Sequence, residues 1–172
     1  MSKKVVRAVK KNLKSELVED HSDHGDFTVV VKPGKLAEIV QFLHDEEAMA
    51  FDQFVDLTVV DWPDREERFE VVTHLRSLTH GHRIRIKTSV GIDDPTVPTI
   101  SHIYQGANWF EREAYDMYGV KFDGHPDLRR ILLWEEFEGH PLRKDYPRQK
   151  RQCPIPFRED SPGQPEPFPE RP

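Results

Sequence analysis

Residues 69–90 read FEVVTHLRSLTHGHRIRIKTSV and contain two runs in which apolar and charged side chains alternate, on either side of a His80-Gly81 turn. The apolar positions are Phe69, Val71, Leu75, Ile84, Ile86 and Val90. The polar positions between them are Glu70, His74, Arg76, Arg83, Arg85 and Lys87. Because successive side chains of a strand point to opposite faces, this alternation predicts two antiparallel strands with one face on a core and one in water.

The sequence before this hairpin predicts two more strands and a helix. Residues 27–31 (FTVVV) are a short β-rich run, and residues 51–62 are rich in strand-forming side chains and end at Pro63. Between them, KLAEIVQFLHDE at 35–46 carries apolar side chains at helical spacing, namely Leu36, Ile39, Val40 and Leu43. The polar stretch EDHSDHGD at 19–26 is predicted as a loop. We therefore predict an α+β fold, a mainly antiparallel sheet covered by helices, with an extended C-terminal arm.

The two ends of the chain differ from this domain in composition. In residues 1–14, lysines and arginines surround apolar positions at helical spacing, which predicts a basic amphipathic helix that meets an acidic partner, a membrane surface or only solvent. After Cys153 the sequence PIPFREDSPGQPEPFPERP is too rich in proline for a helix or a central strand. We expect an α+β domain at 1–120 and an extended partner-binding arm with a Pro-rich tail at 121–172.

Composition narrows the function classes. The net charge of −6 and the pI near 5.8 disfavour nucleic acid as a partner. Cys153 is the one cysteine in 172 residues, so the sequence supplies neither an internal disulfide nor the four thiolates that an iron–sulfur cluster typically takes. No apolar run approaches the roughly 20 residues that span a bilayer, and the basic N-terminus lacks the apolar segment of a secretory signal. We expect a soluble intracellular protein.

Residues 95–119 predict two short helices. After Pro95 and Pro98, Thr99 is expected to cap the first helix, and Asn108 the second, which runs through Tyr118 and ends at Gly119.

On the second helix, Glu113 lies beside the apolar positions Phe110, Ala114 and Met117 and is expected to be partly buried. Because an unpaired buried carboxylate costs several kcal/mol, Glu113 is expected to pair with Arg129 or Arg130. Arg112 and Asp116 are spaced i,i+4 and are expected to pair along the helix.

Two Gly-His-Pro turns, at 124–126 and 139–141, flank the Arg129-Arg130 pair. Proline restricts the residue before it to extended geometry, so the turns predict an extended segment held at both ends.

Three functions compete for residues 109–146. Glu113, Asp116 and His125 are ligand-type residues for a metal site, although zinc-type spacing is missing and neighbouring arginines repel a cation. Acid–base catalysis is a second possibility, but no serine or cysteine stands in a known nucleophile motif. The third is an ion-pair network that presents an edge rich in arginine and histidine to another protein, and the residue types favour it.

The run Glu111-Arg112-Glu113, followed by Asp116, His125, Arg129 and Ile131-Leu132, is similar to a family signature. It resembles the family of the C subunit of NADH-quinone oxidoreductase, respiratory complex I, whose mitochondrial member is the thirty-kilodalton subunit. The stretch EGHPLRKDYP at 138–147 and the segment from Asp56 to Pro63 resemble the same family, so the likeness covers roughly residues 27–150.

The resemblance implies a non-catalytic part in a proton-translocating NADH:quinone oxidoreductase. Members of the family belong to the peripheral arm and pack against the quinone-pocket (D), terminal-cluster (B) and ferredoxin-like (I) subunits. They hold no cofactor, so the iron–sulfur clusters and FMN are expected on partner subunits, and no independent active site is expected here. The chain is expected on the cytoplasmic face of the bacterial inner membrane, associated with it only through the complex, and in the form that is not fused to the quinone-pocket subunit.

The residues that the resemblance assigns to the signature and the interface are Glu111, Arg112, Glu113, Asp116, Gly119, Gly124, His125, Pro126, Arg129, Arg130, His140 and Arg143. The alternative of a different class is a stand-alone metal-dependent hydrolase that uses Glu113, Asp116 and His125.

Overall fold

The structure is a computed structural model and describes residues 10–11, 17–23 and 26–150. From residue 17 the elements are β1 (Leu17–Asp23), β2 (Asp26–Val31), a 3₁₀ turn (Pro33–Lys35), α1 (Leu36–Asp45), β3 (Gln53–Asp61), β4 (Phe69–Arg76), β5 (Arg83–Val90), β6 (Thr96–Pro98), α2 (Ala107–Tyr118) and β7 (Lys121–Asp123). The predicted basic helix lies outside the described residues except for Lys10 and Lys11, which are helical, and the predicted Pro-rich tail lies outside them entirely.

A five-stranded sheet in the order β1-β2-β5-β4-β3 forms the centre of the fold. The predicted meander is confirmed, since β3 pairs with β4 and β4 with β5, both antiparallel, whereas β2 runs parallel to β5. The prediction of a loop at 19–26 was wrong, because β1 covers most of that stretch and pairs with β2. β1 is an edge strand, and polar and charged side chains such as its Glu19 and Asp20 are typical of a sheet edge.

One face of the sheet forms the core and is covered by helices. The stripe predicted for α1 is buried in full, in the same cluster as Val29 of β2 and Ile86 of β5. The predicted alternation of β4 and β5 is also confirmed, with Leu75 and Ile84 paired on the core side and Arg76 and Arg83 paired on the outer side.

The two short strands β6 and β7, which were not predicted, pair in parallel and bracket α2. The prediction of a helix at Thr99 was wrong, because residues 101–103 form a turn, in which the Tyr104 N–H donates to the Ile100 carbonyl at 3.0 Å. α2 begins at Ala107 with Gly106 as its N-cap, so the prediction of Asn108 as the cap was also wrong. Its predicted end at Gly119 is confirmed.

Gly119 ends α2 for two separate reasons. Its φ of 77° lies in the left-handed region, where a Cβ is unfavourable. A Cβ at this position would also lie 2.6 Å from His140 Nε2 and would contact the Arg143 guanidinium. The end of the helix and the later residues that pack on it therefore require glycine here.

We predict that Gly119→Ala lowers the free energy of unfolding by more than the ~1–2 kcal/mol of left-handed strain alone, because the added methyl also displaces His140 and Arg143. Gly34→Ala is the matched control, since nothing lies within 4 Å of a Cβ there. Urea unfolding of the purified chain measures both, and equal stabilities for the two variants would contradict the prediction.

Candidate functional site

Asp116, near the end of α2, holds the segment that follows β7. Its side chain is fully buried, and its Oδ2 accepts bonds from three successive backbone N–H groups, those of Ile131, Leu132 and Leu133, at 2.8–3.1 Å. Its Oδ1 accepts a bond from Arg130 Nη1 at 2.7 Å. Residues 130–133 form neither helix nor strand, so this carboxylate takes the place of a sheet partner for their N–H groups.

The environment of Asp116 favours its charged form. Burial alone raises the pKa of this carboxyl, but the Leu133 N–H, the Arg130 guanidinium and the other two backbone N–H groups outweigh burial and hold the pKa below its ordinary value. The carboxylate therefore bonds the segment in its ionised form.

Residues 139–143 then close the C-terminal end of α2. His140 Nδ1 donates to the Asp116 carbonyl at 3.0 Å, the Leu142 N–H to the Met117 carbonyl at 3.2 Å, and Arg143 Nε to the Tyr118 carbonyl at 2.5 Å. The last carbonyls of a helix lack partners within it, so this stretch acts as its cap. Burial lowers the pKa of His140, which favours the neutral ring that donates from Nδ1.

A second buried carboxylate, Asp61 at the end of β3, binds the far end of the same segment. Arg68 donates to both Asp61 oxygens, from Nε at 2.6 Å and from Nη2 at 2.8 Å, and also pairs with Asp145. The Lys144 N–H donates to Asp61 Oδ2 at 2.7 Å. The Arg68 bonds, more than any other contact, lower the pKa of Asp61. Residues 130–145 are thus bonded both to α2 and to the central sheet.

A further buried carboxylate of the site, Glu111, faces the core side of α2. The Thr99 hydroxyl donates to Oε2 at 2.5 Å and the Ile100 N–H to Oε1 at 2.7 Å. The Ser101 N–H in turn donates to the Thr99 hydroxyl at 3.1 Å. Burial raises the pKa of the Glu111 carboxyl to about 7, although the Thr99 and Ile100 bonds oppose this.

The ring of His125 is buried beside Glu111, with 3.8 Å between His125 Nε2 and Glu111 Oε2. Nδ1 accepts a bond from the Asp127 N–H at 3.0 Å, so Nε2 carries the proton and donates to the Asn108 carbonyl at 3.2 Å. Nδ1 thereby closes the first Gly-His-Pro turn, and Nε2 holds that turn against the start of α2. The left-handed φ values of Gly124 and Gly139, 79° and 96°, confirm turns at both predicted positions.

The predicted pairing of Glu113 was wrong, because Glu113 is exposed. The core-facing side of α2 runs through Ala107, Glu111 and Ala114, so Glu113 points to the opposite side. The arginines are used differently too: Arg130 binds Asp116, whereas Arg129 is exposed and pairs with Asp127.

The predicted pair of Arg112 with Asp116 was also wrong. Arg112 donates to the carbonyls of Arg129 and Arg130 at 3.2 and 3.1 Å, because the Asp116 carboxylate is already occupied by the N–H groups opposite. Gly119, His140 and Arg143 meet at the end of α2, while Pro126 is exposed in the first turn. Among the twelve residues assigned to the signature, Glu113, Gly124, Pro126 and Arg129 are the exposed ones.

The structure does not assemble the metal site considered above. In the described part of the chain, no three His, Cys, Asp or Glu side chains come together in a way that could hold a metal ion. Asp116 and His125 instead bond to backbone groups and to Arg130, and Glu113 is exposed.

Sequence reasoning missed Asp61, Arg68 and Thr99 as parts of the site. Asp61 carried a usable signal, because it continues the buried alternation of Leu57 and Val59 along β3. A carboxylate at a core position requires a cationic or hydrogen-bonding partner. The identity of that partner depends on how β4 and the distant Asp145 come together, and no local pattern gives it.

We predict that Arg130→Ala lowers the free energy of unfolding by roughly 3 kcal/mol, because it leaves the buried Asp116 carboxylate without its cation. Arg129→Ala is the matched control, and a change within about 0.5 kcal/mol is expected since its ion pair is exposed. Equal effects of the two neighbouring substitutions in urea unfolding would show that Asp116 does not depend on Arg130.

We predict that Glu111 makes stability depend on pH. Its folded pKa, about 7, lies above that of the unfolded chain, so folding favours the protonated form and the free energy of unfolding falls as pH rises from about 4.5 to about 7. The fall is of the order of 3 kcal/mol. Glu111→Gln removes this pH dependence. The free energy of unfolding of the variant is therefore expected to rise relative to that of the parent over this interval.

Glu113→Gln is the control for this effect, since Glu113 is exposed on the same helix. Urea unfolding between pH 4.5 and 8 tests both variants. Parallel pH profiles for the parent and Glu111→Gln would mean that the Glu111 carboxyl ionises freely in the folded chain.

Comparison with known proteins shows which proteins this chain resembles. A family profile described as "Respiratory-chain NADH dehydrogenase, 30 Kd subunit" matches residues 29–152. The C subunit of the NADH-quinone oxidoreductase of Caulobacter vibrioides is 53% identical over 123 residues, which are 72% of this chain and 62% of that protein. The Rhodobacter capsulatus protein of the same name is 51% identical over 123 residues, 72% of this chain and 61% of that one. The chain thus spans about three fifths of the length of these relatives.

Solved structures agree with the fold. A trypsin-resistant fragment (1–134) of Nqo5 superposes with a TM-score of 0.62 at 30% identity and covers 73% of this chain and 97% of the fragment. A chain of the membrane-bound sulfane sulfur reductase, an archaeal respiratory membrane complex, gives a TM-score of 0.70 over 93% of this chain and 98% of that one. At 22% identity, the second likeness concerns the fold alone. With its family signature folded around Glu111 and Asp116, this chain belongs to the family of the 30 Kd subunit of respiratory-chain NADH dehydrogenase.

Proposed function

We propose that this chain is a peripheral-arm subunit of a proton-translocating NADH:quinone oxidoreductase and that it acts as a scaffold. In this role it positions the quinone-pocket subunit and the subunit of the terminal iron–sulfur cluster, and it performs no redox step itself. Family membership supports the assembly, and the way in which α2 holds residues 124–145 supports the scaffolding role.

The observation that carries the proposal is that residues 130–145, which form no helix or strand, are bonded firmly to the rest of the domain. Asp116 and Asp61 bond residues 130–145 to α2 and to the sheet, while large apolar side chains on the same parts of the chain face solvent. Trp109 on α2 is 70% exposed and Leu132 on the segment is 63% exposed, although the N–H of Leu132 is bonded to buried Asp116. Exposed apolar side chains on a rigid frame are typical of a protein interface.

The division into a domain at 1–120 and a partner-binding arm at 121–172 stays a prediction. In the described part of that arm, β7 pairs with β6, and residues 124–150 lie without helix or strand against α2 and the sheet. We propose that this surface, rather than a detached strand, is what a partner contacts.

The redox groups are assigned to other subunits. A single cysteine does not supply the ligands of an iron–sulfur cluster, so we place the clusters and FMN on partner chains. In the described residues, no helix is both long and apolar enough to cross a membrane. We propose that the chain reaches the cytoplasmic face of the bacterial inner membrane through its partners, the quinone-pocket, terminal-cluster and ferredoxin-like subunits.

Affinity purification of the tagged chain from its own cells, followed by mass spectrometry, tests the assembly. We expect cluster-bearing and quinone-pocket subunits together with NADH-oxidising activity. Recovery with the subunits of a different electron donor would keep the scaffold and change the electron source, and recovery of the chain alone would overturn the proposal.

We predict that Leu132→Ser and Trp109→Ser reduce assembly without unfolding the chain. Both side chains are mostly exposed, so each change is expected to shift stability by no more than about 0.5 kcal/mol, whereas removal of an apolar side chain from an interface weakens association by more than about 1 kcal/mol. Native gel electrophoresis of the complex and urea unfolding of the purified chain measure the two effects.

Val18→Ser is the matched control, because Val18 is 66% exposed on β1, at the opposite edge of the sheet from β3, the strand that packs on α2. A decrease in assembly with Val18→Ser equal to that with Leu132→Ser would show that the effect is not specific to the proposed surface.

A further inference from the structure

A cluster of three arginines lies at one end of the outer sheet face, far in sequence from the family signature. Arg76 at the end of β4 is paired in register with Arg83 at the start of β5. Arg85 lies two residues further along β5 and therefore on the same face as Arg83. Arg76 and Arg83 are exposed, whereas Arg85 is half-buried and donates to His74 Nε2 at 2.9 Å.

The register of Arg76 and Arg83 is unfavourable for the isolated chain. Directly opposed residues on antiparallel strands have Cβ atoms about 4.5–5.5 Å apart, and like charges at that separation destabilise the sheet. Within the described residues, neither guanidinium has a carboxylate partner. The nearest acid along β4 on this face, Glu70, is bonded to Lys87 Nζ at 2.9 Å further along the face.

These arginines border a cavity of about 390 Å³. In the described part of the chain, the residues that line it are Phe27, Gln53, Val55, His74, Leu75, Arg76, Arg83, Ile84 and Arg85, and none of these is acidic. Val55, at the irregularity between β3 and β4, is 49% exposed at the same place. The cavity thus combines an apolar lining with a concentrated positive charge on a chain whose net charge is −6.

We propose that this cavity, the Arg76 pocket, is a docking site for an acidic segment of another subunit, one that carries a carboxylate beside an apolar side chain. The guanidinium fork matches a carboxylate bidentately, and the carboxylate removes the repulsion between Arg76 and Arg83. The apolar side chain of the segment covers Val55. The inference rests on the proposed function for the existence of an assembly, but it concerns a surface on the outer face of the sheet that the signature does not include.

The isolated chain and the complex are expected to respond in opposite directions to Arg76→Glu. The new carboxylate faces Arg83 across the strands, so the repulsion becomes attraction and the thermal midpoint of the purified chain stays equal or rises. The same carboxylate repels an acidic segment and therefore weakens its docking in the complex. A merely structural arginine would not produce a chain that is at least as stable and yet assembles poorly.

Competition in the native complex measures the assembly. The parent and the Arg76→Glu chain, with different affinity tags, are expressed together, and the ratio of tags is read in the purified complex. We expect the parent to exceed the variant by at least about tenfold, as for the removal of a close charge pair. Lys32→Glu, the same change of charge at an exposed position between β2 and α1, is the control and is expected near a ratio of one.

A ratio near one for Arg76→Glu would overturn the inference and leave the proposed function standing. If instead the parent enters no assembly, the proposed function fails, and this inference fails with it.

Cross-linking identifies the occupant. In complexes that contain the Arg83→Lys chain, a water-soluble carbodiimide joins the introduced amine to a carboxylate that lies against it, and mass spectrometry maps the new bond. A bond from position 83 to an Asp or Glu of another subunit supports the proposal. A bond only to the acidic residues of the chain's own 159–170 segment or to a second copy of the chain, or no bond at position 83, overturns it.

Discussion

The structure around the family signature depends on one buried carboxylate, that of Asp116. An ionised group without contact to water requires compensation from every side, and here three successive backbone N–H groups and one guanidinium provide it. Those donors belong to residues 130–133, which form no helix or strand of their own. Without the Asp116 carboxylate, these N–H groups would lose their acceptor, and the segment would lose the bonds that fix it on α2.

The buried carboxylates of the site, Asp116, Asp61 and Glu111, act in different ways because their donors differ. Asp116 and Asp61 each bond an arginine together with backbone N–H groups, and the pKa of each is lowered. Among the described residues, one hydroxyl and one N–H donate to Glu111, and burial prevails and raises its pKa to about 7. The two charged acids attach residues 130–145 to the domain. Glu111 attaches α2 to the turn after β6 and favours a proton.

The surface at the signature and the Arg76 pocket differ in how their charges are compensated. At the signature, buried acids are fully matched by donors from the same chain, and apolar side chains such as Leu132 remain exposed. At the Arg76 pocket, like charges face each other and no acid from the described chain lies between them. These two surfaces are therefore the ones that we propose as contacts with other subunits. This agrees with a family of subunits that belong to a larger oxidoreductase.

The sequence by itself determined the alternating strands at 69–90, helix α1 and the end of α2 at Gly119, because periodicity and helix termination are local properties. It also determined the family, since the signature is contiguous. Only the tertiary structure decided which acid on α2 is buried: Glu113 was predicted, whereas Glu111 and Asp116 are the buried ones. A helical pattern shows which residues share a face, but the face that meets the core depends on how β6, β7 and residues 130–145 close around the helix, and those contacts join residues far apart in sequence.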